Sequence, residues 1–238
     1  MRLHTREWGT GDRVALLVHG IMSDHRSWRS VGPALAARGY RVIAVDLRGH
    51  GASPRGEGAT PVDRYAPERF ADDLVETLPA GAELALGHSL GGLTLLHAVE
   101  RLRPARAVYS DPAWKFARPG VFDPGIFTQF KRAGRTQIAA LNPRWSAADV
   151  DDELATLADW DPDSALALSA LADRAELPGT APAVPSLVQV AGRGFVIAPE
   201  DAERLRGLGY EVRTVAGAGH TIHRDDLPGF LASLDGWL

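Results

Sequence analysis

Residues 84–93 read Leu84-Ala85-Leu86-Gly87-His88-Ser89-Leu90-Gly91-Gly92-Leu93, and no other stretch restricts the fold as much. A short apolar run meets Gly-His-Ser-Leu-Gly and passes at once into a helix-compatible stretch, Leu93 to Arg101. A strand that turns straight into a helix leaves its corner residue in a cramped backbone conformation. Glycines at 87, 91 and 92 remove the side chains that would collide there. The corner residue is Ser89, so its hydroxyl would stand at the end of a sheet. Beside it lies a helix N-terminus, whose open N–H groups can receive developing negative charge. This is the pattern of a nucleophilic serine on a strand-to-helix elbow. A glycine-rich turn can produce the same string, so the reading needs support from the rest of the chain.

That support begins with alternation. Residues 2–8 alternate loosely and end in the turn signal Gly9-Thr10-Gly11-Asp12, which predicts an edge hairpin. Val14 to Val18 is a continuous apolar run of strand length, as expected of a strand covered on both faces. A helix is expected over 27–38, a second buried strand over 41–45, loop over 54–65 and an amphipathic helix over 67–78. Strand 83–87, the elbow, helix 91–101 and strand 105–109 follow. Strand and helix alternating in this way predict an α/β fold: a doubly wound, mostly parallel sheet with helices on both faces.

The rhythm breaks after Asp111. Between Pro112 and Pro185 the sequence shows helical segments near 124–141, 146–160 and 162–176 and no convincing strand. Trp114, Phe116, Phe122, Phe127, Phe130, Trp145 and Trp160 fall here. The segment is too long for a plain crossover, which predicts an inserted helical cap at 112–184 on a core of residues 1–111 and 185–238. The sheet then resumes at 186–192 and 210–215, with helices over 199–208 and 226–237.

Four loops fall at the carboxyl ends of the predicted strands, the edge where open α/β sheets hold ligands. They carry His19-Gly20, Asp46-Leu47-Arg48-Gly49-His50-Gly51-Ala52-Ser53, Gly87-His88-Ser89-Leu90-Gly91-Gly92 and Gly217-Ala218-Gly219-His220, in that order. This ordered set resembles the α/β-hydrolase family over essentially the whole chain. The resemblance implies Ser89 as nucleophile and His220 as general base, since a serine hydroxyl needs a base within reach as it attacks. It also implies an oxyanion hole formed by the backbone N–H groups of Leu90 and Ile21.

The acid departs from the common family pattern. Most of the family carries an Asp after the strand before the last, whereas this chain has Ala191-Gly192-Arg193-Gly194-Phe195-Val196-Ile197, with no acid. Some members place the acid after the strand that follows the nucleophile. That position here is Asp111, which could hold the far nitrogen of His220 and fix its tautomer. Asp46 reads as a loop-organising carboxylate, and Glu200 and Asp201 as the acidic start of a helix. His88 reads as a packing group beside the elbow, and His50 and His223 as structural or pocket-lining rather than catalytic groups. Trp114, Trp145, Trp160 and His25 are expected to border the substrate.

Composition narrows the function classes. A formal charge of -4 with no basic stripe argues against nucleic acid, and the cations are almost all arginine, with Lys115 and Lys131 the two lysines. The absence of cysteine removes disulfides, thiolate metal sites and a cysteine nucleophile. No signal peptide or membrane span is visible, so a soluble cytoplasmic protein, monomer or homodimer, is expected. The first reading is a serine hydrolase of a small, largely apolar ester or lactone, acting through an acyl-enzyme with no metal or organic cofactor. Carbon–carbon bond hydrolysis and perhydrolysis would use the same serine. A thioesterase for carrier-bound chains and a ligand-binding protein on a hydrolase scaffold are the other readings.

Overall fold

The structure is a computed structural model that describes residues 1–115, 124–172, 176–194 and 196–238. Phe116, Phe122 and Phe195 lie outside the described residues. Seven strands among the described residues form one sheet: β1 (Thr5–Trp8), β2 (Arg13–Val18), β3 (Tyr40–Val45), β4 (Leu84–His88), β5 (Arg106–Ser110), β6 (Ser186–Ala191) and β7 (Glu211–Val215). Their order is β1-β3-β2-β4-β5-β6-β7. β1 runs antiparallel to β3 and all other pairs are parallel. The N-terminal segment is therefore an edge strand but not half of a hairpin. β3 lies between β1 and β2, and Thr5 pairs with Val45 at one end of the register, Trp8 with Val42 at the other.

The continuous apolar runs follow from burial on both faces. In β2, Leu16 and Val18 enter one core while Ala15 and Leu17 enter the opposite one. In β3, Ile43 and Val45 face the first core, and Val42 and Ala44 the second. Helices α1 (Val31–Ala36), α2 (Pro61–Tyr65), α3 (Pro67–Thr77) and α4 (Leu90–Leu102) occur in the first half of the chain. Phe70 and Leu74 of α3 and Leu95, Ala98 and Leu102 of α4 cover the first face, while Leu35 of α1 covers the second.

Among the described residues four helices follow between β5 and β6: α5 (Pro124–Phe130), α6 (Arg135–Leu141), α7 (Ala147–Asp159) and α8 (Asp163–Ala170). Ile138, Val150, Leu157, Trp160 and Ala165 make a small apolar cluster of their own. Both ends of this stretch are also knitted into the main core, through Trp114 and through Ala167, Leu168 and Leu177. The single helix expected over 124–141 is two helices, with Gly134 capping the second. The expected loop at 54–65 contains α2, started by a reciprocal Thr60–Asp63 capping box with Pro61 in its first turn.

The chain closes with α9 (Pro199–Gly207), α10 (Ile222–Asp225) and α11 (Leu227–Ala232). Among the described residues no helix is long and apolar enough to cross a membrane. The strand order fixes where a site can form. The chain leaves β2 toward β3 on one side and β4 toward β5 on the other, so a crevice opens at the carboxyl ends of β2 and β4. His19-Gly20-Ile21 follows β2, and Ser89 follows β4.

Candidate active site

Ser89 occupies the sharp corner between β4 and α4, with φ 50° and ψ -115°. For a residue with a side chain this is a strained conformation, and three main-chain bonds hold it. The Ser89 N–H donates to the Ser110 carbonyl, and the Ser89 carbonyl accepts from Leu93 and Ala113, all at 3.1 Å. The glycines are required by space. A Cβ on Gly91 would stand 2.2 Å from the Val18 carbonyl oxygen, and one on Gly87 would stand 2.4 Å from that of Gly91. Strand β2 and the elbow therefore touch backbone to backbone.

His220, in the loop after β7, meets the fully buried Asp111, which follows β5, at 2.6 Å from Nδ1 to Oδ2. Asp111 has φ 41°, in the left-handed region that Asp tolerates better than most residues. Its other oxygen accepts from the Ala191 N–H at 3.3 Å, so the carboxylate reaches across the end of β6. The loop after β6 packs close to it: a Cβ on Gly194 would lie 3.2 Å from Asp111 Oδ2. With Nδ1–H donating to Asp111, the imidazole carries its lone pair on Nε2, the tautomer of a general base.

His19 shapes the loop after β2. Its Nε2 accepts from the Leu47 N–H at 2.9 Å, which leaves Nδ1–H to donate to the Gly20 carbonyl at 2.7 Å. A trans peptide points its C=O and the next N–H in opposite directions. Anchoring the Gly20 carbonyl therefore fixes the direction of the Ile21 N–H. Leu90 opens α4, where first-turn N–H groups lack intrahelical acceptors.

Ser89, His220, Ile21 and Leu90 all line one cavity of about 490 Å³. Its walls are mainly apolar, with Met22, Phe127, Phe130, Ile138 and Trp145 among them. Trp145 is anchored by its Nε1–H donating to Asp225 at 3.0 Å. The other three expected border residues do not line it. Trp114 is fully buried in the main core, its indole N–H on the Gly92 carbonyl and its ring against Tyr109 and Tyr210. Trp160 is fully buried too, and its indole N–H donates to Ser164 within the cluster between α6 and α8. His25 is drawn away by Asp46, which accepts from both its backbone N–H and its ring at 2.8 Å.

Three further histidines are buried: His50, His88 and His223. Burial, then the neighbouring His220 and His223, push His88 well below its ordinary value, so it is neutral. Its Nε2–H donates to the His220 carbonyl at 3.0 Å and steadies the loop carrying that residue. Burial likewise lowers His223, which stacks on Trp28 and meets the Ser27 hydroxyl at 2.8 Å. Burial pushes His50 down to about 3, and its Nδ1–H donates to the Arg48 carbonyl.

Among the described residues, His4, His25 and Asp46 bring metal-ligating atoms within 4.8 Å of one another. Here the Asp46 carboxylate accepts from both rings and from the His25 and Ala52 N–H groups, tying three loops together. Burial alone would raise its pKa, but the hydrogen bond from His25 and those backbone donors hold it well below the usual carboxylate range.

Sequence reasoning did not single out Arg224, Glu153, Ser23 or Ser27, all of which line the cavity. Arg224 lies in the short helix α10, four residues after His220, where the sequence carries no motif. Glu153 and the serines carry no motif.

Comparison with known proteins bears on the fold and the family. A family model described as the alpha/beta hydrolase family matches residues 15–233. N-formylmaleamate deformylase of Pseudomonas putida is 29% identical over 260 aligned residues, covering 100% of this chain and 93% of the relative. The crystal structure of the N-formylmaleamic acid deformylase from Pseudomonas putida S16 superposes with a TM-score of 0.77 at 24% identity, covering 98% of this chain and 95% of the other. The enol-lactonase from Burkholderia xenovorans LB400 does so with a TM-score of 0.75 at 24% identity, covering 99% and 95%. At those identities the two structures speak for the fold. With its elbow, its strand order and a family match spanning nearly all of its length, the chain belongs to the alpha/beta hydrolase family.

Proposed function

We propose that the protein is a serine hydrolase that cleaves a small carboxylic ester or lactone through an acyl-enzyme on Ser89. The observation that carries this reading is the 2.6 Å contact of His220 Nδ1 with buried Asp111, at the wall of the cavity that Ser89 also lines. In this reading His220 Nε2 takes the hydroxyl proton as Ser89 attacks the carbonyl carbon. The N–H groups of Leu90 and Ile21 receive the oxyanion, at about 3 kcal/mol each. The proton then goes to the leaving oxygen, and water, deprotonated by the same imidazole, releases the acid. Asp111 stays ionised and stabilises the imidazolium.

The helices between β5 and β6 serve as the cap, supported by Phe127, Phe130, Ile138 and Trp145 on the cavity wall. A cavity of about 490 Å³ suits a metabolite-sized substrate rather than a polymer. A deformylase relative matching the whole chain favours a second reading, in which the same acyl transfer releases an amide nitrogen instead of an alcohol.

The test is turnover by purified protein on a panel of short esters, lactones and N-formyl amides. Activity confined to esters and lactones supports the first reading, and activity confined to the amides supports the second. Turnover that survives Ser89→Ala contradicts both.

A further inference from the structure

Arg224 is a cation buried beside the reacting groups and only partly satisfied. Its side chain is 3% exposed, and it lines the same cavity as Ser89 and His220. Its Nη1 donates to Glu153 Oε2 at 2.6 Å, and its Cζ lies 4.6 Å from the centre of the Trp145 ring. Nε and Nη2 are buried and have no hydrogen-bond partner among the described residues. These two atoms form one complete edge of the guanidinium, the edge that grips a carboxylate with two parallel bonds. Burying charged donors without partners is costly, so this edge points to a ligand. Ser23 Oγ is another buried cavity-wall group without a partner, and it too can donate to an anionic oxygen.

We infer that Arg224 is the recognition group for a substrate carboxylate, so that the preferred substrate is an acidic ester, lactone or amide with its carboxylate apart from the scissile carbonyl. Glu153 and Trp145 hold the guanidinium so that the Nε/Nη2 edge is left for the substrate. This refines the apolar substrate expected from the aromatic content: apolar walls exclude water, and one charged fork selects an anion. The inference rests on the hydrolase reading for the bond that is cut, and on Arg224 alone for the charge that is preferred.

The experiment compares kcat/KM within matched pairs: monoethyl succinate against diethyl succinate, and 4-acetoxybenzoate against phenyl acetate. In at least one pair the anion should be favoured by about tenfold or more. Arg224→Lys keeps a cation against Glu153 but loses the fork, and should lower that ratio several-fold. The double variant Glu153→Gln/Arg224→Gln, which leaves no unpaired buried charge, should bring the ratio close to one. A purely structural arginine would lower both members of a pair equally and leave the ratio intact. No anion preference in either pair, or a ratio unmoved by both variants, overturns the inference.

A second readout needs no turnover. Succinate should bind Ser89→Ala protein in calorimetry and bind at least several-fold more weakly once Arg224→Lys is added. Equal binding in the two proteins, or none in either, counts against Arg224. Failure of a fluorophosphonate to label Ser89 counts against the hydrolase reading instead.

Discussion

In the proposed mechanism, a hydroxyl at φ 50° on a glycine-walled corner and an imidazole aligned by a buried carboxylate divide the chemistry between two residues. Ser89→Ala and His220→Ala should each remove nearly all turnover without changing the circular dichroism spectrum; substantial activity in either would contradict its role. Asp111→Asn should cost on the order of a thousandfold or more in kcat, because the amide would favour the wrong imidazole tautomer. Near-normal kcat in that variant would move the acid elsewhere. These three positions were legible because each sits in a short motif at the end of an apolar run. Asp111 could be separated from Glu200 and Asp201 because those two open α9. The pocket walls were not legible, because an aromatic side chain reads the same in a core as in a cavity. Trp114 and Trp145 differ only in which neighbours the tertiary fold brings to them. Arg224 was hidden among 24 arginines, most of which serve the surface.

At the level of elements, the elbow works because β2 and α4 approach closer than any side chain permits. Gly91→Ala would set a methyl against the Val18 carbonyl, a backbone atom that cannot rotate away. It should destabilise the fold by about 2–3 kcal/mol or more, read as a lowered urea midpoint together with lost activity. An unchanged midpoint would mean that the backbone contact is looser than described. The strands were legible because burial on both faces turns each into an unbroken apolar run. The partner of β1 was not, since pairing with β3 rather than β2 is a long-range choice that a turn signal does not encode. The break between α5 and α6 follows from Gly134, and α2 from a capping box inside a stretch otherwise rich in turn residues.

For the whole molecule, the buried histidines set an acid limit. Burial lowers His19, His50, His88 and His223, whereas the Asp46 hydrogen bond raises His25. Below their ordinary value of 6.5 the unfolded chain binds protons that the four folded rings refuse, so stability falls as pH drops through that window. His25 works in the opposite direction. Its contribution is complete below 6.5 and is lost as pH rises through its higher folded value. With four rings against one, the urea midpoint should fall steadily from pH 7 to pH 5, and a flat or rising midpoint would contradict the burial of these rings. The mostly parallel sheet and the run of helices after β5 could be read from alternation and its interruption, whereas the order of the strands and the joining of those helices to the main core through Trp114 and Leu168 depended on tertiary packing. The most direct measurement of the central claim is peptide mapping by mass spectrometry after reaction with a fluorophosphonate. One adduct per chain on Ser89, formed far more slowly in His220→Ala, is the predicted result; an unmodified Ser89, or an adduct on another serine, would contradict it.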